Sequence, residues 1–171
     1  MNESQKHWQT VYQTKKTNEV SWYQGRPELS LDLIERTGVN SDSAIIDVGG
    51  GASTLVDHLI EKGFKNVSVL DISSEAIKAA KERLGSKADQ VKWIESDITK
   101  AELSHDAYDL WHDRALFHFL TKAEDRKKYL DTLCHSLRSS GHVIISTFSL
   151  DGPLRCSGLD VQRYDAKTLS A

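Results

Sequence analysis

The chain has 171 residues and a mass of 19.2 kDa, which is the size of one ordinary domain. Hydrophobic residues make up 39% of it and charged residues 27%, a composition that excludes a disordered, coiled-coil or collagen-like chain. Its formal net charge of -3 argues against a protein whose main partner is a nucleic-acid backbone or an anionic membrane.

Two amphipathic helices are predicted before the first strand. From Glu3 to Lys16, the i, i+3, i+4 spacing places Trp8 and Tyr12 on one helical face. A second helical pattern runs from Pro27, a favoured first-turn residue, to Gly38. Residues 1–40 are therefore expected to form a helical lid in front of the core.

From residue 41 to residue 150, short apolar runs alternate with helical patterns. Strands are predicted at Ala44 to Val48, Val67 to Leu70, Val91 to Ile94, Tyr108 to Trp111 and His142 to Phe148. Helices are predicted at Thr54 to Lys62, at Ser74 to Leu84, and after a capping box at Thr121 to Glu124. This alternation predicts an α/β fold: a Rossmann-like, doubly wound and mostly parallel sheet of about five strands in the order 3-2-1-4-5, with helices on both faces.

The first strand runs into three consecutive glycines, Gly49, Gly50 and Gly51, before a helix. Glycine allows a sharp turn and lets a ligand approach the free amides of a helix N-terminus. Asp47 adds a carboxylate to this otherwise apolar strand, and burying it is costly unless a partner such as a cationic ligand pairs with it. The motif predicts a ligand site, and a tight turn without a ligand is the alternative.

Each of the first four strands is followed by, or ends in, an acidic residue. Asp71 closes the second strand 20 residues after Gly51, where a Rossmann-type site places the acid that binds both ribose hydroxyls. Asp97 follows the third strand, and Asp113 follows the fourth. Because the carboxyl ends of parallel strands meet at one edge of a sheet, we expect one acid-rich site there.

Together these residues resemble the class I S-adenosylmethionine-dependent methyltransferases over about residues 44–148. The first motif of that family, an acid, an apolar residue and Gly-x-Gly after an apolar run, matches Ile46 to Gly51. The resemblance implies that Asp47 and the backbone of Gly49 to Gly51 contact the methionine part of the cofactor. It implies that Asp71 contacts the ribose, and that Asp97 and Ile98 contact the adenine. Ile72 is a further candidate cofactor contact.

The acidic site also suits the cofactor that the resemblance implies. S-adenosylmethionine carries a sulfonium cation, which a carboxylate-rich pocket attracts. A dinucleotide pyrophosphate would be repelled by Asp47, so a nicotinamide-dependent oxidoreductase ranks third. A module that binds the cofactor without catalysis ranks second, because no catalytic residue is assigned by the motifs.

The resemblance implies that the segment from His112 to Phe119 faces the reactive methyl group. In-line transfer depends mostly on placement of the reacting atoms, an effect worth up to about 7–11 kcal/mol. If the acceptor must lose a proton, Asp113 and His112 are the catalytic candidates, and Asp113 is also a candidate cofactor contact. The candidates for substrate binding are Tyr23, Arg114 and His118.

Three aromatic residues of the predicted lid, Trp8, Tyr12 and Trp22, are candidate cofactor contacts. They could exclude water and attract the sulfonium through cation–π interactions, and packing over the sheet is the alternative. The segment around Trp22 resembles thiol, halide and thiopurine methyltransferases, and the Asp113-Arg114 pair resembles both these and protein-lysine methyltransferases. Small soft nucleophiles and protein amines both stay open as acceptors.

Residues 151–171 form a short tail, in which Val161 to Tyr164 is the only run with strand character. Class I methyltransferases usually continue with a sixth and a seventh strand. We therefore expect this hairpin to be missing and the fifth strand to be an apolar edge. Such an edge indicates either a truncated chain or a homodimer that covers it.

Two cysteines, Cys134 and Cys156, are too few for a disulfide scaffold and are not spaced as a metal pair. The N-terminus is polar, and no run approaches the roughly 18 apolar residues of a membrane span. We expect one cytoplasmic domain over residues 1–171 that acts on a small-molecule or protein substrate, without a metal, a membrane or a stable nucleic-acid partner.

Overall fold

The computed structural model describes residues 2–170, so Met1 and Ala171, the ends of the predicted lid and tail, lie outside the described residues. Its helices and strands are, in chain order, α1 (Glu3–Thr14), α2 (Glu28–Arg36), β1 (Ala44–Val48), α3 (Leu55–Glu61), β2 (Asn66–Asp71), α4 (Ser74–Leu84), β3 (Val91–Glu95), β4 (Tyr108–Arg114), α5 (Ala123–Ser136), β5 (Leu137–Ser146), β6 (Arg155–Cys156), β7 (Leu159–Asp160) and α6 (Ala166–Leu169). None of the helices within this range is long and apolar enough to cross a bilayer.

Strands β1 to β5 form one parallel sheet in the order β3-β2-β1-β4-β5, which confirms the predicted fold class and strand order. Val48 at the end of β1 lies opposite Leu70 of β2 on one side and Asp113 of β4 on the other. The strand order reverses between β1 and β4, and the crevice outside the strand ends at such a switch point is where open α/β sheets bind ligands.

The core lies on both faces of the sheet because successive side chains of a strand point to opposite sides. Ile45 packs with α2 and α3 in one apolar cluster, whereas Ile46 packs with Trp111 of β4 and Tyr129 of α5 in the other. Strand β1, buried from Ile45 to Val48, thus anchors both layers, as its mostly apolar run predicts.

Three predicted boundaries are wrong. Strand β4 ends at Arg114 rather than Trp111, so Asp113 lies within the strand instead of after it. Helix α5 begins at Ala123 after Lys122, without a side-chain cap, because the carboxylate of Glu124 pairs with Lys128 at 2.7 Å instead of folding back to Thr121. Strand β5 begins five residues earlier than expected, at Leu137 rather than His142, and ends at Ser146. A bulge accommodates the extra residues, since the register against β4 shifts between Tyr108 and Leu110.

The tail forms a hairpin, although not where the sequence indicated strand character. Val161 to Tyr164 has no strand, whereas β6 and β7 pair antiparallel around Ser157 and Gly158, which have φ of 50° and 79°. Positive φ at both central residues suits a tight hairpin turn. Two main-chain hydrogen bonds attach the tail to the core, from Gln162 to the His118 carbonyl at 2.7 Å and from Tyr164 to the Phe148 carbonyl at 2.9 Å.

A buried chain of hydrogen bonds holds the turn after β4. The Trp111 indole donates to the Tyr129 hydroxyl at 2.8 Å, and that hydroxyl donates to the Asp113 carboxylate at 2.8 Å. Asp113 also accepts from the backbone N–H groups of Leu116 at 2.8 Å and Phe117 at 3.1 Å. The Tyr129 hydroxyl thereby links α5 to β4 and to the turn that follows it.

We expect Tyr129→Phe to lower the free energy of unfolding by about 1–3 kcal/mol, because it leaves the Trp111 N–H without an acceptor and removes one donor from a buried carboxylate. Urea unfolding measures this change. Tyr23→Phe is the control, since Tyr23 is 39% exposed and its hydroxyl is outside this hydrogen-bond chain. Equal losses in the two variants would contradict the role given to the buried hydroxyl.

Candidate functional site

A cavity of about 700 Å³ lies at the carboxyl edge of the sheet, below α1 and beside the β6–β7 hairpin. This volume is in the range of small-molecule sites. The predicted site residues that line it are Trp8, Tyr12, Trp22, Gly49, Asp71, Ile72, Asp97, Ile98, Arg114 and His118. Within residues 2–170, no cluster of three or more His, Cys, Asp or Glu side chains is arranged to hold a metal ion.

The glycine turn brings the ends of β1 and β2 into close contact. Gly49 and Gly51 have φ of 72° and 36°, a backbone region that favours glycine. A Cβ atom on Gly51 would lie 2.5 Å from the Asp71 carboxylate, and one on Gly49 would lie 2.7 Å from Leu116. Gly49 lines the cavity, whereas Gly50 lines a second, much smaller cleft of about 30 Å³.

Asp47 has a partner within the chain. Its Oδ1 lies 2.7 Å from Nδ1 of His112, and Nε2 of His112 lies 2.9 Å from the Ser30 hydroxyl. All three side chains are buried, and Asp47 and His112 line the small cleft rather than the main cavity. The expectation that a cationic ligand pairs with Asp47 is therefore corrected, and His112 joins β1 and β4 to α2 instead of facing an acceptor.

Asp113, the other predicted catalytic residue, is completely buried and lines neither the cavity nor the small cleft. Burial raises the pKa of the Asp113 carboxyl to about 6, against the opposing effect of its hydrogen bonds from Leu116, Tyr129 and Phe117. Because these donors occupy both oxygens, Asp113 positions the turn after β4 instead of contacting a cofactor or an acceptor.

Asp71 is the buried strand-end acid that faces the main cavity. Its Oδ1 accepts the Ser73 N–H at 2.8 Å, and no hydrogen bond within residues 2–170 uses its Oδ2. Burial raises the pKa of Asp71 to about 7, the Ser73 N–H opposes this rise, and the charge of Asp47 adds to it. Burial and then the charge of Asp71 also raise the pKa of the neighbouring Tyr12 hydroxyl.

Asp97 lies on the same wall, at the end of β3. Its Oδ1 accepts the backbone N–H of Thr99 at 3.0 Å and the Thr99 hydroxyl at 2.8 Å, which caps the short helical turn that begins at Ile98. Its Oδ2 accepts from the side-chain amide of Asn2 at 2.8 Å. Asp97 therefore holds Ile98 at the cavity and also fastens the start of α1.

Helix α1 closes the cavity with aromatic side chains, as the predicted lid requires. Trp8 meets Trp22 and Phe119 edge to face, with ring centroids 5.9 Å and 5.1 Å apart. Gln9, which the sequence analysis missed, accepts the Ser73 hydroxyl at 2.6 Å and the Glu75 N–H at 3.0 Å. No residue of α1 is buried, so the helix is held at a few points rather than by a core face.

His118 lines the cavity from the segment after β4, beside Phe119 and Phe148 at centroid distances of 4.3 Å and 4.7 Å. It is 1% exposed, and neither ring nitrogen has a hydrogen-bond partner among the described residues. Burial lowers the pKa of His118 to about 4, so the ring is neutral at pH 7. It can donate one hydrogen bond and accept another.

The two remaining substrate candidates, Arg114 and Tyr23, line different spaces. Arg114 lines both the main cavity and the small cleft, and its Nη1 donates to the carbonyl of Trp22 at 3.2 Å, which links the end of β4 to the lid. Tyr23 lines only the small cleft. The sequence favours a plain surface loop for the tail, with closure of the substrate side as the alternative. The structure supports the alternative, since Arg155, Cys156 and Ser157 of the β6–β7 hairpin line the cavity. The Ser-Gly pair at the hairpin turn was the available signal.

The chain matches the methyltransferase domain family over residues 39–168. It is 31% identical to malonyl-[acyl-carrier protein] O-methyltransferase 2 of Ilyobacter polytropus over 63% of this chain and 40% of that protein. It is 24% identical to EEF1A lysine methyltransferase 2 of Mus musculus over 84% of this chain and 65% of that protein.

Among solved structures, phosphoethanolamine N-methyltransferase 1 of Haemonchus contortus, in complex with phosphoethanolamine and S-adenosylhomocysteine, superposes with a TM-score of 0.66 at 19% identity. The match covers 82% of this chain and 30% of that one. A SAM-dependent methyltransferase from Aquifex aeolicus superposes with a TM-score of 0.57 at 20% identity, over 66% of this chain and 60% of that one. The chain therefore spans less than two thirds of each of these four proteins.

The fold and the strand-end site define a Rossmann-like methyltransferase domain. The chain belongs to the methyltransferase domain family. This membership confirms the class that the glycine motif and the strand-end acids indicated, the class I S-adenosylmethionine-dependent methyltransferases.

Asp71→Asn should stabilise the protein at high pH. The folded pKa of Asp71, about 7, exceeds the ordinary value of 3.8, so the folded state binds the extra proton and stability falls as pH rises from about 4 to 7. Asparagine keeps the acceptor for the Ser73 N–H and carries no charge. We expect a gain on the order of 2–4 kcal/mol in urea unfolding at pH 8, and a smaller gain at pH 5.

The matched control is Asp42→Asn, which removes an exposed carboxylate that pairs with Lys65 at the other end of the sheet. If Asp42→Asn raises the free energy of unfolding by the same amount and with the same pH dependence, the burial of Asp71 is not the cause of the stabilisation.

Proposed function

We propose that this chain transfers a methyl group from S-adenosylmethionine to a small-molecule or protein acceptor. The observation that carries the proposal is the cavity at the switch point of the sheet, whose lining includes the Asp71 carboxylate and the His118 ring, which has no hydrogen-bond partner among the described residues. S-adenosylmethionine supplies a methyl group on a positively charged sulfur, and that sulfur leaves as a neutral thioether.

The residues on the β2–β3 side fit the nucleoside part of this cofactor. Oδ2 of Asp71 is an acceptor at the cavity wall that no donor within residues 2–170 uses, which suits a ribose hydroxyl. Ile72 and Ile98 provide apolar surface on the same wall for the adenine ring. Asp97 can reach the adenine when the Asn2 amide releases its Oδ2.

The methionine part would meet the backbone of Gly49 and the aromatic rings of the lid. Asp47 is engaged by His112, so it supports the glycine turn from behind instead of binding the ligand directly. Trp8, Tyr12 and Trp22 line the cavity above this point, where a ring face can attract a sulfonium and exclude water.

His118 is the residue that we assign to the acceptor. A neutral imidazole can accept a hydrogen bond or a proton from a nucleophile, and His118 lines the main cavity, whereas His112 lines the small cleft and Asp113 lines neither. The rings of Phe119 and Phe148 pack against His118 at interplanar angles of 57° and 30°. Its buried ring nitrogens must turn toward the cavity to meet a bound acceptor.

Calorimetry with S-adenosylhomocysteine tests the cofactor site. We expect micromolar-range binding by the unaltered chain, and a loss of about 1–3 kcal/mol in Asp71→Ala, the usual cost of losing hydrogen bonds to a charged group. Because the hydroxyls of a ribose donate to the ionised carboxylate, affinity should rise between pH 6 and pH 8. Asp42→Asn serves as the control, and absence of binding by the unaltered chain would overturn the proposal.

Methyl transfer from a labelled donor to thiols, small amines and protein extracts tests catalysis. We expect His118→Phe to lower transfer at least about tenfold, the low end of the contribution of a positioned acid or base, while the affinity for S-adenosylhomocysteine stays the same. Phenylalanine retains the packing between Phe119 and Phe148. Cofactor binding without any transfer would identify the chain as an inactive binding module, and undiminished transfer by His118→Phe would contradict the role of this ring.

A further inference from the structure

The ionised groups on the cavity wall are separated by sign. Its two carboxylates, Asp71 and Asp97, belong to the ends of β2 and β3, where the cofactor is proposed to bind. Its two guanidinium groups, Arg114 and Arg155, belong to the end of β4 and to the β6–β7 hairpin. Among the described residues that line the cavity, no acidic side chain accompanies the arginines.

Arg114 is not neutralised by a neighbouring acid. Its contact is with the carbonyl of Trp22, and no carboxylate within residues 2–170 lies at ion-pair distance from it. Asp113, the adjacent acid in the chain, points into the core, where Tyr129 and two backbone N–H groups occupy its oxygens. The positive charge of Arg114 is therefore available to a ligand in the cavity.

Arg155 is oriented by its own hairpin. Its Nη2 donates to the carbonyl of Gly158 at 2.7 Å, and its Nε lies 3.0 Å from Asp160. Both side chains of this ion pair are largely exposed to solvent, where such pairs are weak. A planar guanidinium with spare donors at the rim of a cavity suits a bidentate anion.

The other residues after β4 and β5 that line the cavity are apolar or neutral. Leu116, Phe119 and Phe148 provide hydrophobic surface, and the ring of His118 is neutral. This surface suits a ligand with an apolar body and one anionic group. The ammonium group of a lysine side chain would instead meet two positive charges.

We propose that the acceptor is a small organic anion whose carboxylate or phosphate group is bound by Arg114 and Arg155. This inference rests on the proposed function and deepens it, because it chooses the small molecule over the protein amine. The apolar body of the acceptor then lies against Phe119 and Phe148, and His118 contacts the polar atoms of the acceptor that lie between this body and the anionic group.

Four probes of similar size and different charge test the preference: phenylacetate, phenyl phosphate, phenylacetamide and phenethylamine. Their affinities are measured by calorimetry with and without saturating S-adenosylhomocysteine. We expect at least one of the anions to bind about tenfold more tightly than the amide and the amine, as one charge-assisted contact predicts. The tighter anion identifies the group as carboxylate or phosphate.

Variants assign the preference to the arginines. Arg114→Gln should lower the anion's affinity about tenfold and Arg155→Gln about threefold, because Arg155 is the more exposed of the two. Arg36→Gln, which removes an exposed charge on α2, should leave it unchanged. The S-adenosylhomocysteine affinity of every variant is measured in parallel, to detect any effect of Arg114 on the lid.

The proposal is overturned if phenethylamine binds as tightly as both anions, or if neither arginine variant loses anion affinity. Failure to bind S-adenosylhomocysteine would instead overturn the proposed methyl transfer, and the measurements without it would still report the anion preference.

Discussion

Burial of carboxylates at adjacent strand ends is the constraint on which this structure depends. An ionised acid is costly to bury without partners, and the sheet brings Asp47, Asp71 and Asp113 to one edge. His112 pairs with Asp47, and Tyr129 with two backbone N–H groups satisfies Asp113. Among the described residues, only backbone N–H groups donate to Asp71, and it has the most raised pKa of the strand-end acids that show a shift. It is the acid left for a ligand.

The partners of the two satisfied acids also shape the cavity. The Asp47–His112–Ser30 chain joins α2 to the middle of the sheet, and the Asp113–Tyr129 bond holds the turn that carries His118. These buried hydrogen bonds fix the strand ends and the turn after β4, and fixed elements can preorganise a site. The cover is held differently: α1 has no buried residue and is fastened by hydrogen bonds of Asn2 and Gln9 and by the Trp8 ring. Such a segment opens at a low free-energy cost, as ligand entry requires.

The two ends of the cavity consequently differ in chemistry. The β2–β3 end is acidic, because Asp71 and Asp97 lie on the cavity wall there. The β4 end combines aromatic rings, a neutral histidine and two arginines, one of them supplied by the tail. The similar proteins carry names that refer to malonyl-[acyl-carrier protein], to phosphoethanolamine and to EEF1A lysine. In this chain, the positive charge of the β4 end is the feature on which the proposed choice of acceptor rests.

The sequence by itself determined the parallel sheet, its strand order, the aromatic lid and the placement of Asp71 and Asp97 at one edge, because local periodicity and strand-end position carry that information. Only the tertiary structure decided that His112 and Asp113 support the fold, since the partner of His112 lies 65 residues away and that of Asp113 lies on another element. It likewise decided that His118 lacks partners and that the tail supplies Arg155. Whether a polar side chain is satisfied depends on three-dimensional neighbours, which periodicity does not encode.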